Sequence, residues 1–77
     1  MSQDYVLSTR KILAINLKNL RIKSKIRREE LSLALGFDNS YISKLEKCKI
    51  NITIDKLSII AHYFNVEIID LFKNNEQ

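Results

Sequence analysis

The chain contains no proline and no tryptophan, and only one glycine, one cysteine and one histidine in 77 residues. Each scarcity excludes something. β-rich chains need many tight turns, and those turns draw heavily on glycine and proline. With Gly36 alone to serve them, the sequence reads as all-α. The single Cys48 rules out an internal disulfide framework, and with only His62 to join it there is no ligand set for a metal. No cofactor is expected. Nor do a nucleophile, a base and an electrophile cluster anywhere in the sequence, so no catalytic residue is assigned and an enzyme is not the reading. His62 reads as a surface or interface side chain.

Long apolar runs are missing too. The most hydrophobic stretch, residues 57–72, is interrupted by His62, Asn65, Glu67 and Asp70, which is too broken to span a bilayer. The opening MSQDYVLSTRK carries an early acid and no long apolar run, unlike a signal peptide. The expectation is a soluble protein of a reducing cytoplasm, with no membrane partner. Its length fits one domain, residues 1–77, with a core over about residues 8–73 and termini that fray.

What the middle of the chain lacks is acid. Residues 10–28 hold eight basic side chains (Arg10, Lys11, Lys18, Arg21, Lys23, Lys25, Arg27 and Arg28) and no Asp or Glu. Over residues 10–49 there are eleven bases against four acids, whereas the remainder has two bases and five acids. Basic helices are sometimes merely solvated, or lie on anionic membranes. Here the positive region surrounds one particular run, which favours a polyanion bound on one side.

That run is residues 28–47, REELSLALGFDNSYISKLEK. Leu31 and Leu35 are one helical turn apart and face a core, and Ser32 is small enough to let a second helix cross closely. Gly36 supplies the positive φ that ends the first helix. Phe37 anchors the turn, and Asp38 is placed to cap the next helix through the backbone of Ser40 or Tyr41. Ile42 and Leu45 continue the buried face. Asn39, Ser40, Ser43 and Lys44 then fall on the opposite face, with Lys47 at its far end. Short polar side chains on such a face suit base edges in a major groove. A structural helical hairpin with a solvated polar face has the same pattern.

Around this pair the spacing predicts three more helices. The first runs from about Ser8 to Lys23, with Leu13, Leu17 and Leu20 inward and Lys18 and Arg21 on the wet face; Tyr5, Val6 and Leu7 extend it, pack across the body or fray. Arg27 stands where Ser or Thr would form a capping box with Glu30, an anomaly explained if Arg27 and Arg28 grip phosphate, or else a solvated pair offset by Glu29 and Glu30. After the connector CKINI, a fourth helix starts at Thr53 and buries Ile54, Leu57, Ile60, Ala61 and Phe64, ending at a left-handed Asn65. The fifth, near residues 67–73, is too short to bury Ile68, Ile69, Leu71 and Phe72 against its own domain. Tyr63, Ile68, Ile69 and Phe72 therefore form the expected homodimer patch. The sum is a compact five-helix bundle, dimeric through its last helix.

The segments LKNLR, REELSLALGF, SYISKLEK and DKLSIIAHYFNV, in this order and separation, resemble the DNA-binding domain of the phage repressor and Cro type, the xenobiotic-response-element-like helix-turn-helix family. The resemblance covers residues 13–72. It implies base contacts from Asn39, Ser40, Ser43 and Lys44, and backbone contacts from Arg28, Tyr41, Lys49 and Asn51; Lys47 joins the phosphate set. Arg28 stands where the family usually has glutamine, and Cys48 where it commonly has glycine. The connector KINITIDKL is similar to that of controller proteins of bacterial restriction-modification systems. By that likeness the chain would bind a partly palindromic duplex operator as a homodimer in the bacterial cytoplasm, tuning its own gene and an endonuclease gene, with RNA polymerase as a further partner. A phage or plasmid repressor and an antitoxin-like regulator share the pattern. A basic helical adaptor for an acidic protein is the rival of another class.

Overall fold

The computed structural model describes residues 2–74, with side chains from Asp4 onward. Residues 1 and 75–77 of the expected domain lie outside the described set. Four α-helices are present among the described residues: α1 (Ser2–Lys23), α2 (Arg28–Ala34), α3 (Tyr41–Glu46) and α4 (Ile54–Phe64), followed by a 3₁₀ segment, Ile68–Phe72. No strand occurs among them.

Two expectations about the ends of the bundle are corrected. Helix α1 starts at Ser2 instead of Ser8, because residues 2–7 contain no helix breaker and Asp4 complements the dipole in the first turn. Tyr5, Val6 and Leu7 extend the helix but remain exposed. The predicted fifth α-helix is the 3₁₀ segment. Asp70 N–H donates to the Glu67 carbonyl at 3.0 Å while the Asp70 carboxylate accepts from Glu67 N–H at 2.9 Å, and this tight reciprocal turn is closed before an α-helix can propagate.

The core gathers Leu13 and Leu17 of α1, Leu31 of α2, Ile42 and Leu45 of α3, Leu57, Ile60 and Ala61 of α4, and Leu71. Helix α1 packs on both α3 and the 3₁₀ segment, α2 packs on α3, and α4 packs on the 3₁₀ segment. The buried Asn16 amide of α1 donates to the carbonyls of Leu71 and Lys73, both at 2.8 Å, which ties the end of the domain to its first helix. Full burial of a leucine side chain contributes ~1.5–3 kcal/mol, so these aliphatic residues suffice to hold a small bundle.

Helix ends follow the expected chemistry in two places. Thr53 caps α4 by accepting from Lys56 N–H at 3.1 Å, and Asn65 ends it in the left-handed region at φ 58°. Two side chains depart from expectation. Ile54, predicted inside, is 75% exposed, because the first turn of α4 extends past the edge of the core. Arg21, predicted on the wet face, is buried and paired with Glu46 of α3.

Candidate nucleic-acid interface

Helix α2 ends in a closed turn. Gly36, at φ +79°, lets Phe37 N–H reach back to the Ser32 carbonyl at 2.9 Å and Gly36 N–H to the Leu33 carbonyl at 3.0 Å. A Cβ at Gly36 would meet no atom within 4 Å, so the requirement there is backbone conformation and not space.

Ser32 does more than keep the crossing close. Its fully buried hydroxyl donates to the Arg28 carbonyl at 2.9 Å and accepts from Ile42 N–H at 3.0 Å. Ile42 lies in the first turn of α3, where backbone donors have no partner within the helix. Helix α2 thus satisfies an orphan donor of α3 and fixes one helix against the other. The sequence indicated a small residue here but not the hydroxyl's second bond, which depends on a neighbour ten residues away.

Asp38 holds the turn before α3, but chiefly through a side chain where a backbone cap was expected: Ser40 is the N-cap residue and makes no cap bond of its own. The Asp38 carboxylate accepts from the Ser40 hydroxyl at 2.8 Å. That bond, with the backbone N–H groups of Ser40 and Asn39 and the nearby Lys44 charge, holds the Asp38 carboxyl below the ordinary carboxylate range. Ser40 therefore commits its proton to Asp38 and presents only lone pairs outward.

The four expected base-contacting residues share the outer face of α3 and the turn before it. Asn39 and Lys44 are exposed, and Ser40 and Ser43 are half-buried. Ser40 and Ser43 form a ridge between two shallow concavities. One is lined by Arg21, Arg27, Arg28, Glu29 and Asn39, the other by Lys44, Lys47, Lys49 and Ile50. The expected phosphate-contacting side chains Arg27, Arg28, Lys47 and Lys49 thus flank the ridge on both sides. At Arg27 the side chain makes no cap; instead Glu30 accepts from Arg27 N–H at 3.4 Å, half of a capping box.

Two members of the phosphate set are placed differently from expectation. The Tyr41 hydroxyl is enclosed, with no hydrogen-bond partner among the described residues, and burial pushes its proton affinity up. Its ring stands edge-on to Phe37 at 4.8 Å, and the Lys56 ammonium sits 4.5 Å from the Tyr41 ring centre. An aromatic anchor between the turn and α4 is the role this geometry supports, and a phosphate contact through the hydroxyl is not. Asn51 is exposed, but its side-chain carbonyl accepts from the Arg10 guanidinium and ties the connector to α1.

Just past the end of α3, Cys48 lies in the left-handed region at φ 61°, with Lys49 N–H donating to the Lys44 carbonyl at 3.0 Å. Glycine would adopt this conformation without strain. Of the expected dimer patch, Tyr63 and Ile69 are 43% and 66% exposed, while Ile68 and Phe72 are half-buried against the core. Ile59, one turn before Tyr63 on α4, adds to the exposed apolar surface. Among the described residues no group of His, Cys, Asp and Glu is arranged to hold a metal, and no helix is long and apolar enough to cross a membrane.

The helix-turn-helix family of the Cro/C1 type matches residues 17–71. This chain belongs to that family. Among solved structures, it is similar to a hypothetical transcription factor, NHTF, from Neisseria, with a TM-score of 0.82 and 27% identity over 87% of this chain and 77% of that one. No curated protein matches the sequence.

Proposed function

We propose that the chain is a sequence-specific DNA-binding transcriptional regulator that acts as a homodimer on a partly palindromic operator. Family membership and the likeness to a transcription factor support a DNA-binding regulator. The observation that carries the reading is the outward face of Asn39, Ser40, Ser43 and Lys44, whose serine ridge separates an arginine flank from a lysine flank. Contacts from Arg27, Arg28, Lys47 and Lys49 to phosphate set the depth and register of α3, and carry no sequence information themselves. Asn39 offers a bidentate pair to adenine and Lys44 a donor to guanine, each worth ~1–3 kcal/mol of discrimination. The half-used Ser40 and the hydroxyl of Ser43 accept or bridge through water.

Two copies of α3 held one duplex turn apart double the footprint. Ile69, Tyr63 and the neighbouring Ile59 offer the exposed apolar surface for that pairing, backed by Ile68 and Phe72. The connector KINITIDKL favours a controller of a restriction-modification system, regulating its own gene and an endonuclease gene.

Selection of binding sites from random duplexes, then titration of the winner at two salt concentrations, tests the reading. A palindromic motif is expected, with half-site spacing that reports the dimer geometry. Salt-sensitive retention without enrichment would reject sequence reading by α3 and favour the adaptor. Ile69→Asp is expected to yield monomers with weakened operator binding; a dimer unchanged in sedimentation would reject that interface.

A further inference from the structure

The one acid within α3 is Glu46, and it is 5% exposed at the side chain although the surface around it is basic. Its carboxylate is shared. Oε2 accepts from Arg21 Nε at 2.7 Å, and Oε1 accepts both from Arg21 Nη2 at 3.3 Å and from Arg28 Nε at 3.1 Å. Arg21 is itself 9% exposed and donates its remaining Nη1 to the Ile26 carbonyl at 3.0 Å, so its guanidinium is consumed inside the fold. Arg28 differs. Its side chain is 50% exposed, and it gives Glu46 only the inner Nε edge. The two terminal amino groups are left to the concavity lined by Arg27, Asn39, Ser40 and Ser43.

We propose that Glu46 is a positioning residue for DNA binding: it grips Arg28 by Nε, so that the outer fork of the guanidinium is aimed beside the α3 ridge to take a DNA phosphodiester. The proposal rests on the DNA-binding reading above. Three charges make the cluster net cationic, which leaves it short of one anion. A guanidinium is a planar fork whose donors have fixed relative directions, so holding one edge fixes where the others point. A free surface arginine would have to order its side chain on binding, whereas Arg28 enters the complex already oriented. The same carboxylate closes on Arg21 of α1, so the placement of Arg28 is referred to both the reading helix and the first helix.

The sign of one substitution separates this from ordinary electrostatics. Glu46→Gln removes a negative charge from a DNA-facing region, and on charge alone binding should tighten. Positioning requires the opposite. Equilibrium binding of the full chain to its selected duplex and to a scrambled duplex, at two salt concentrations, is the experiment, with thermal melts of every variant alongside. Arg28→Gln, which leaves the Arg21–Glu46 bridge intact, is expected to weaken both duplexes about tenfold and to lower the salt slope by about one. Arg28→Lys keeps the charge but cannot be held by an inner edge while presenting a fork, and is expected to lose nearly as much. Glu46→Gln is expected to weaken binding several-fold in the wild-type background and to have no weakening effect beside Arg28→Gln. Wild-type affinity in Arg28→Lys overturns the proposal even if Glu46→Gln fails to fold. Tighter or unchanged binding in a folded Glu46→Gln also overturns it, as does a loss equally large in both backgrounds, which would put the effect in Arg21 and the fold. If the wild-type chain retains no duplex at either salt, the DNA-binding reading itself fails, a result distinct from all of these.

Discussion

The two ends of helix α3 are built by different means. Its beginning is locked: Gly36 closes the turn without strain, Asp38 holds Ser40, and the Ser32 hydroxyl takes the Ile42 N–H from the side. Its end carries strain, because Cys48 occupies a left-handed conformation that disfavours a side chain, and it is held by ion pairs instead, from Glu46 to Arg21 and Arg28. The flanking charges divide the same way. Arg28, beside the locked end, is fixed by Glu46, whereas Lys44, Lys47 and Lys49 form no ion pair among the described residues. The contrast separates two tasks. Base edges demand polar groups placed to a fraction of an ångström, and on the proposed reading Asn39, Ser40 and Ser43, nearest the locked end, meet that demand. Phosphates tolerate mobile point charges, and on the same reading Lys47 and Lys49 supply them at the far end.

Breaking the lock should have the largest effect. Ser32→Ala leaves the Ile42 N–H buried without a partner, an expected cost of ~1–3 kcal/mol. In so small a domain that lowers the melting midpoint by about 4–8 °C per kcal/mol. Thermal unfolding followed by circular dichroism measures it. A midpoint shift under one degree would show that the Ser32 bond adds nothing to the hold on α3.

The paired substitution of the two left-handed corners comes next. Gly36→Ala forces a Cβ into a positive-φ position and should cost ~1–2 kcal/mol even though the space is open. Cys48→Gly should do the reverse and stabilise by up to ~1 kcal/mol, reduced by the greater freedom of glycine in the unfolded chain. Urea unfolding of both variants tests the comparison directly, and shifts of the same sign in the two would refute it.

These corners also mark what could be read from residue order. Gly36 and Asn65 are residue types that favour a left-handed conformation, so the ends of α2 and α4 were legible, as was the cap at Thr53. Cys48 and Lys25 carry no such preference, yet both adopt positive φ. The apolar stripe of Leu13, Leu17, Leu31, Ile42 and Leu45 followed from periodicity. Arg21 did not, since a charge is buried only when a partner meets it, and its partner Glu46 is 25 residues away. Glu46 had one local signal, a solitary acid in the basic reading helix, but a helical wheel cannot say what lies opposite. Tyr41 was assigned by family likeness to the DNA backbone, and only packing against Phe37 and Lys56 revealed an enclosed hydroxyl.

A smaller effect should sharpen the division of tasks without touching the fold. Lys47→Ala and Lys49→Ala are each expected to reduce the salt slope of DNA binding by about 0.9 while leaving the preferred sequence intact. Asn39→Ala is expected to relax preference at one base position and leave the slope alone. Titrations on the selected site and on single-base variants supply both readouts. A change of preferred sequence in either lysine variant would move the far end of α3 into base reading.

The smallest expected effect lies in acid. Bonds from Ser40, first through its hydroxyl and then its backbone N–H, lower the Asp38 carboxyl below its ordinary 3.8. A carboxylate whose folded pKa is depressed contributes stability above its unfolded value, and that contribution disappears as the pH falls through the folded one. The stability difference between wild type and Asp38→Asn should therefore be constant from neutrality down to about pH 5, then shrink toward lower pH. Because Asp38 is solvent-exposed the difference is small, and matched melts of the two proteins across that range are needed to resolve it. A gap that stays constant below pH 3 would mean that the neutral carboxyl holds Ser40 as well as the carboxylate does, and that the lock rests on Ser32 and Gly36 alone.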